Sequence, residues 1–194
     1  RPNDIISCLP YSDLYSAEEA FVCGTAAEVS AGTCYNYFST KGDLLLAIVS
    51  MEVEEVLEAG RSVVVAPPPD VEDALTALIH LYYDHSLMYL SKEMWRKAMA
   101  ISIEAPGTPF SRHYTRLDAM LAAQVRDLLA ELARRALTRA DLDPFTLGDV
   151  VFQSLNQLFI EFVKDEAMPL SRLHALSAAQ TANLSGLMAR VDAS

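Results

Sequence analysis

Val29-Ser30-Ala31-Gly32-Thr33-Cys34-Tyr35-Asn36-Tyr37-Phe38-Ser39-Thr40-Lys41-Gly42-Asp43-Leu44-Leu45 is the stretch around which the rest of the chain is organised. Ser30 is placed to cap a short helix, because its hydroxyl can accept from backbone N–H groups two or three residues on, with Val29 anchoring the turn before it. The capped helix is barely two turns long. Ala31, Gly32 and Thr33 give it a front face that a second backbone can approach, and Tyr35, Asn36 and Tyr37 add hydrogen-bonding side chains behind. Such a face suits a nucleic-acid groove. A second start signal follows at once: Thr40 is a capping residue with Asp43 three positions on, opening the apolar-periodic run Leu44, Leu45, Ile48, Val49.

Val29, Ser30, Gly32, Thr33, Tyr35, Tyr37, Phe38, Thr40, Lys41 and Leu44 match, in fixed order, the pattern V-S-x-G-T-[LIV]-Y-x-Y-F-x-[ST]-K-x-x-L. The stretch thereby resembles the recognition helix and following turn of the TetR family of bacterial transcriptional repressors. Cys34 departs from the pattern, with a thiol in place of an aliphatic side chain. The resemblance implies an all-α fold of about nine helices. A helix-turn-helix DNA-binding domain would occupy residues 1–45, and a ligand-binding and dimerisation domain residues 46–194. In such a module the second helix lies in the major groove. Mapped here, Ser30 caps that helix, Ala31, Gly32 and Asn36 face base edges, and Thr33, Tyr35, Tyr37 and Lys41 hold phosphates. An asparagine can pair bidentately with adenine.

Composition sets bounds on this reading. The 194 residues, 52% hydrophobic, suffice for one small DNA-reading unit and a larger helical body. No apolar run approaches the length of a bilayer crossing and no charged start precedes an apolar core, so a cytoplasmic protein is expected. Cys8, Cys23 and Cys34 are odd in number and far apart, and read as reduced, packed thiols. Net charge runs against the DNA-binding expectation: it is −11. Within residues 1–50, Arg1 and Lys41 face Asp4, Asp13, Glu18, Glu19, Glu28 and Asp43. Phosphate contacts can also come from hydroxyls, tyrosines, backbone amides and helix N-termini, so modest rather than absent DNA affinity is expected.

Residues 1–28 follow the family pattern poorly. Pro10 interrupts the helical face of Ile5, Ile6 and Leu9, and the segment from Ala17 to Glu28, weakened at Gly24, takes the place of the helix that braces the recognition helix. From residue 40 to about 66, Leu44, Leu45, Ile48, Val49, Val53, Val56 and Leu57 describe a long helix, read as polar on its outer side at Glu52, Glu54, Glu55 and Glu58. Pro67-Pro68-Pro69 breaks it, and Asp70 caps the next helix, expected to run to about residue 89. Ser91, Thr108-Pro109 and Asp143-Pro144 mark three further starts, the helix after Thr108 running to about residue 137. The helix after Asp143 is apolar nearly all round and must be covered on two faces. Pro169 begins the last helix, and the resemblance places a two-fold four-helix dimer interface on these final two.

Tyr82, Tyr83, His85, Met88, Tyr89, Trp95 and Met99 gather aromatic and thioether groups within twenty residues, resembling the lining of an apolar pocket with a few polar handles. Gln124, Gln153 and Asn156 are amides that need partners if buried. The ligand-binding set is therefore read as Tyr82, His85, Met88, Trp95, Met99, Gln124, Phe152 and Asn156. His80 and His85, five apart, lie about 140° around a helix and make a poor shared metal site. No phosphate loop, nucleophile elbow or H-E-x-x-H motif occurs, so neither catalysis nor a cofactor or metal is expected. The chain reads as a homodimeric repressor of double-stranded operator DNA, released by a small apolar or aromatic effector. The alternative is a ligand-binding or interaction dimer of the same fold with weak or lost DNA binding.

Overall fold

A computed structural model describes residues 40–189, which form six helices: α1 (Lys41–Val65), α2 (Val71–His85), α3 (Lys92–Glu104), α4 (Pro109–Arg134), α5 (Pro144–Lys164) and α6 (Leu170–Met188). No strand occurs among the described residues, and an isolated antiparallel bridge joins Thr138 to Ala189. The earlier helices expected from sequence, and the recognition residues Ser30, Ala31, Gly32, Thr33, Tyr35, Asn36 and Tyr37, lie outside the described residues. Lys41 is the exposed first residue of α1. The expected domain boundary after residue 45 falls within α1.

Five helices start on a side-chain cap, each of which stabilises its helix by about 1 kcal/mol. Thr40 Oγ1 accepts from the Asp43 amide at 3.0 Å, and Asp70 Oδ1 from Glu72 and Asp73 at 2.8 and 3.1 Å. Ser91, Thr108 and Asp143 do the same for α3, α4 and α5. Pro169, ahead of α6, offers no side-chain cap.

Two helices end earlier than their periodicity suggests. Rather than reaching residue 89, α2 stops at His85: the Ser86 hydroxyl donates back to the Tyr83 carbonyl at 2.7 Å, and the Ser86 carbonyl is taken by the Trp95 indole N–H at 2.6 Å. Instead of continuing to residue 137, α4 stops at Arg134. Leu137 N–H donates to Leu132 O and Ala136 N–H to Ala133 O, the paired bonds of a Schellman turn, with Ala136 at φ 57° in the left-handed position that glycine ordinarily fills.

The core gathers the inner faces of all six helices. Leu75, Leu78 and Ile79 of α2, Val125, Leu128, Leu129 and Leu132 of α4, and Val151, Leu155 and Phe162 of α5 are all buried. The longest helix, α4, packs chiefly against α5 and α1, while α2 packs against α6. At the α4–α5 crossing a Cβ on Gly148 would stand 2.7 Å from the Arg126 Cα, so the two backbones meet there with no room for a side chain. The inner face of α6 is Leu173, Ser177, Thr181, Ser185 and Met188, its hydroxyls donating to carbonyls of their own helix. Facing outward are Phe145 and Val150 on α5 and Leu187 on α6, from half to two-thirds exposed.

Two substitutions test these local readings by chemical denaturation. Ala136→Gly relieves a left-handed alanine and is expected to stabilise by about 0.5–1 kcal/mol. Gly148→Ala improves helix propensity by about 1 kcal/mol but forces two backbones apart, and is expected to destabilise by about 1–2 kcal/mol net.

Candidate functional site

A cavity of about 70 Å³ lies in the middle of the bundle, with five helices contributing to its wall. Glu52, Val53 and Val56 come from α1, and Ile79, Tyr82 and Tyr83 from α2, with Ser86 on the turn that follows. Trp95 is supplied by α3, Leu121 by α4, and Phe152, Leu155, Asn156 and Phe159 by α5. The aromatic rings hold one another in place. Trp95 meets Phe159 edge to face at 5.4 Å, and Tyr83 lies nearly parallel to Phe159 at 6.1 Å.

Most of the polar groups in this wall are already committed. The Tyr82 hydroxyl donates to Gln124 Oε1 at 2.7 Å, and Gln124 Nε2 donates to the Leu57 carbonyl at 2.7 Å, tying α2, α4 and α1 together. The Tyr83 hydroxyl donates to the Leu155 carbonyl at 2.7 Å, and the Trp95 indole to Ser86. Burial pushes both tyrosine hydroxyls well above their ordinary range, so they remain neutral donors.

Glu52 is only partly committed. It is 2% exposed, and its Oε1 sits 2.7 Å from His85 Nδ1. The His85 Nε2 lies 3.6 Å from Glu55 Oε2, which also accepts from the Tyr89 hydroxyl at 2.8 Å. Glu52 Oε2 is buried and has no hydrogen-bond partner among the described residues. Desolvation drives the Glu52 carboxyl from 4.5 up to about 7, with His85 partly opposing the rise. The sequence reading placed this glutamate on the outer side of the helix, and the structure overturns that. Glu52 follows Ile48 by four residues and precedes Val56 by four, which puts it on the buried stripe.

Of the ligand-binding residues read from sequence, Tyr82, Trp95, Phe152 and Asn156 meet at this cavity. His85 stands behind its wall, holding Glu52. Gln124 likewise stands behind, holding Tyr82. Met99 lines a separate open cleft of about 410 Å³ between α3, α4 and α5, and Asn156 borders both spaces. Met88, on the turn after α2, is 51% exposed and lines neither.

The remaining histidines have tertiary partners that spacing along the chain does not reveal. His80 stacks on His174 at 4.3 Å, His174 Nε2 lies 2.9 Å from Asp84 Oδ1, and His113 Nε2 lies 2.9 Å from the Ser50 hydroxyl. No group of three metal-ligating side chains occurs among the described residues.

No protein-family model and no curated protein matches the sequence. Solved structures do match. A Mesorhizobium loti structure assigned to the TetR family of transcriptional regulators superposes with a TM-score of 0.74 at 18% identity, covering 97% of this chain and 96% of that one. The transcriptional regulator FadR of Bacillus subtilis, solved with stearoyl-CoA, superposes with a TM-score of 0.68 at 16% identity over 96% and 99% of the two chains. The chain has the fold of TetR-family transcriptional regulators. A third example of that fold, the Thermus thermophilus repressor FadR bound to lauroyl-CoA, gives a TM-score of 0.62 at 18% identity over 100% and 98%.

Because the folded state raises the Glu52 pKa, it binds more protons than the unfolded chain between about pH 4.5 and 7. This group's contribution to stability is therefore full below that window and lost as pH rises through it. Glu52→Gln keeps the shape without the charge. Its stability relative to wild type is expected to climb with pH across the window, by up to about 1.4 kcal/mol per pH unit, in denaturation series run at successive pH values.

Proposed function

We propose that the chain is a TetR-type DNA-binding transcriptional regulator, a repressor released from its operator when a small apolar or aromatic effector enters the body. The observation that carries this reading is the continuity of α1. One unbroken helix of 25 residues starts at Lys41, the last basic position of the recognition motif, and supplies Glu52, Val53 and Val56 to the cavity wall. Along a helix axis Lys41 and Glu52 are about 16 Å apart, close enough for one rigid element to couple them. Occupancy of the cavity displaces α1 and with it the residues that hold phosphates. The effector acts only through its different affinities for the two positions of that helix.

Tyr82, Trp95, Phe152 and Asn156 contact the effector directly, His85 and Gln124 shape the wall from behind, and Met99 meets any part of the ligand that extends into the outer cleft. The working unit is a homodimer formed through α5 and α6. The outward-facing Phe145, Val150 and Leu187 support this, since apolar side chains left open on two neighbouring helices favour association about a two-fold axis. Two DNA-reading heads, residues 1–45 of each protomer, then address successive half-sites.

A second reading, a ligand-binding dimer with little DNA affinity, draws support from the net charge of −11. One measurement separates the two: fluorescence anisotropy of the full chain on DNA flanking its own gene, at several salt concentrations, beside Tyr37→Ala and Lys41→Ala. Under the regulator reading, binding is sequence-selective, both variants weaken it, and Lys41→Ala lowers the salt slope by about 1. Absence of binding at low salt leaves the ligand-binding dimer as the function.

A further inference from the structure

We propose that the cavity selects a protonated amine carried on an apolar body, its ammonium group donating to Glu52 Oε2. This deepens the effector reading above and rests on it. Three features of the site lead there.

The first is the orphaned oxygen. Glu52 lines the cavity, and its Oε2 is buried and has no hydrogen-bond partner among the described residues. A buried carboxylate oxygen without a partner costs free energy that a ligand donor recovers. The second is the local charge count. Glu52 and Glu55 bring two carboxyl groups to the single imidazole of His85, and a cation at Glu52 favours its ionised form against the desolvation that burial imposes. A carboxylate or phosphate head at the same point would face a like charge across a space with few water molecules to screen it. The third is the character of the remaining wall, in which Trp95 and Phe159, lining the same cavity as the glutamate, stand edge to face. Aromatic faces attract ammonium groups and tolerate the methylenes that carry them.

Size assigns the parts of the ligand. The inner cavity, about 70 Å³, takes a head and a few carbons, and the outer cleft of about 410 Å³ takes the body. Asn156 borders both. The preference differs from that of the FadR structures solved with acyl-CoA, whose ligands carry no cationic head at the end of the acyl chain.

Trp95 is the single tryptophan and lines the cavity, which makes its emission a direct reporter. The test titrates decylamine, decanol and decanoate into the purified full-length protein and into Glu52→Gln, following Trp95 fluorescence. Decylamine is expected to bind wild type at least about tenfold more tightly than decanol or decanoate, and in Glu52→Gln its advantage over decanol is expected to fall below about threefold. If wild type binds decanoate or decanol as tightly as decylamine, the amine proposal is overturned while an effector site remains. If none of the three alters Trp95 emission, the cavity is not a ligand site, and the anisotropy measurement on DNA still decides the regulator reading. Thermal melts establish that Glu52→Gln is folded; should it not be, the wild-type ranking alone decides, and Glu52→Asp, which withdraws the carboxylate by one methylene, is expected to weaken decylamine selectively.

Discussion

A carboxylate 2% exposed in the apolar face of a long helix is the constraint on which the centre of this molecule depends. Leaving such a group in a hydrocarbon setting is costly unless something accepts its charge or its proton. The His85 imidazole meets it on one side at 2.7 Å, which fixes the end of α2 against the middle of α1. That placement in turn sets Tyr82 and Tyr83, three and two residues back along α2, so that their hydroxyls reach Gln124 and the Leu155 carbonyl. Ser86, directly after His85, turns the chain and receives the Trp95 indole. The aromatic wall of the cavity thus follows from the fit of α2 to a single buried acid.

The α2–α6 contact works on different chemistry. Only Leu173 and Met188 among the buried residues of α6 are large and apolar; Ser177, Thr181 and Ser185 between them let the helices approach closely. Thr76 and Thr181 meet across the contact at 3.1 Å, and stacked His80 and His174 lie beside it. Burial and the neighbouring His174 lower the His80 pKa, which favours a neutral His80 ring in the stack. This is a polar, close-packed seam on the flank of a hydrocarbon core, and it holds the last helix to the body without large side chains.

Much of the architecture was legible from residue order because the signals were local. Asp70, Ser91, Thr108 and Asp143 announce helix starts through their own side-chain chemistry, and each one caps as its position implies. Helix ends were less legible. Ser86 and Ala136 terminate helices through bonds to groups in three dimensions or through a backbone state that alanine does not advertise. The aromatic part of the cavity could be read from the clustering of Tyr82 and Trp95 and from Phe152 and Asn156 on α5. Glu52 could not be read by polarity, since a glutamate among Glu54, Glu55 and Glu58 looks like part of a solvated face; only its four-residue spacing from Ile48 and Val56 betrays it. Partners such as Asp84 for His174 are distant in sequence and follow from the assembled bundle alone.

The close approach at Gly148 carries a mechanical consequence. With the α4 and α5 backbones in contact and Arg126 reaching Asp149 at 3.0 Å beside them, those two helices form the fixed jaw of a vice around the cavity. A close-packed interior has little compressibility to absorb an occupant larger than the existing space. Expansion must then be taken up on the opposite side, by α1, α2 and α3, where the wall is held by hydrogen bonds from side chains rather than by touching backbones. The jaw that can move includes the helix that begins at Lys41.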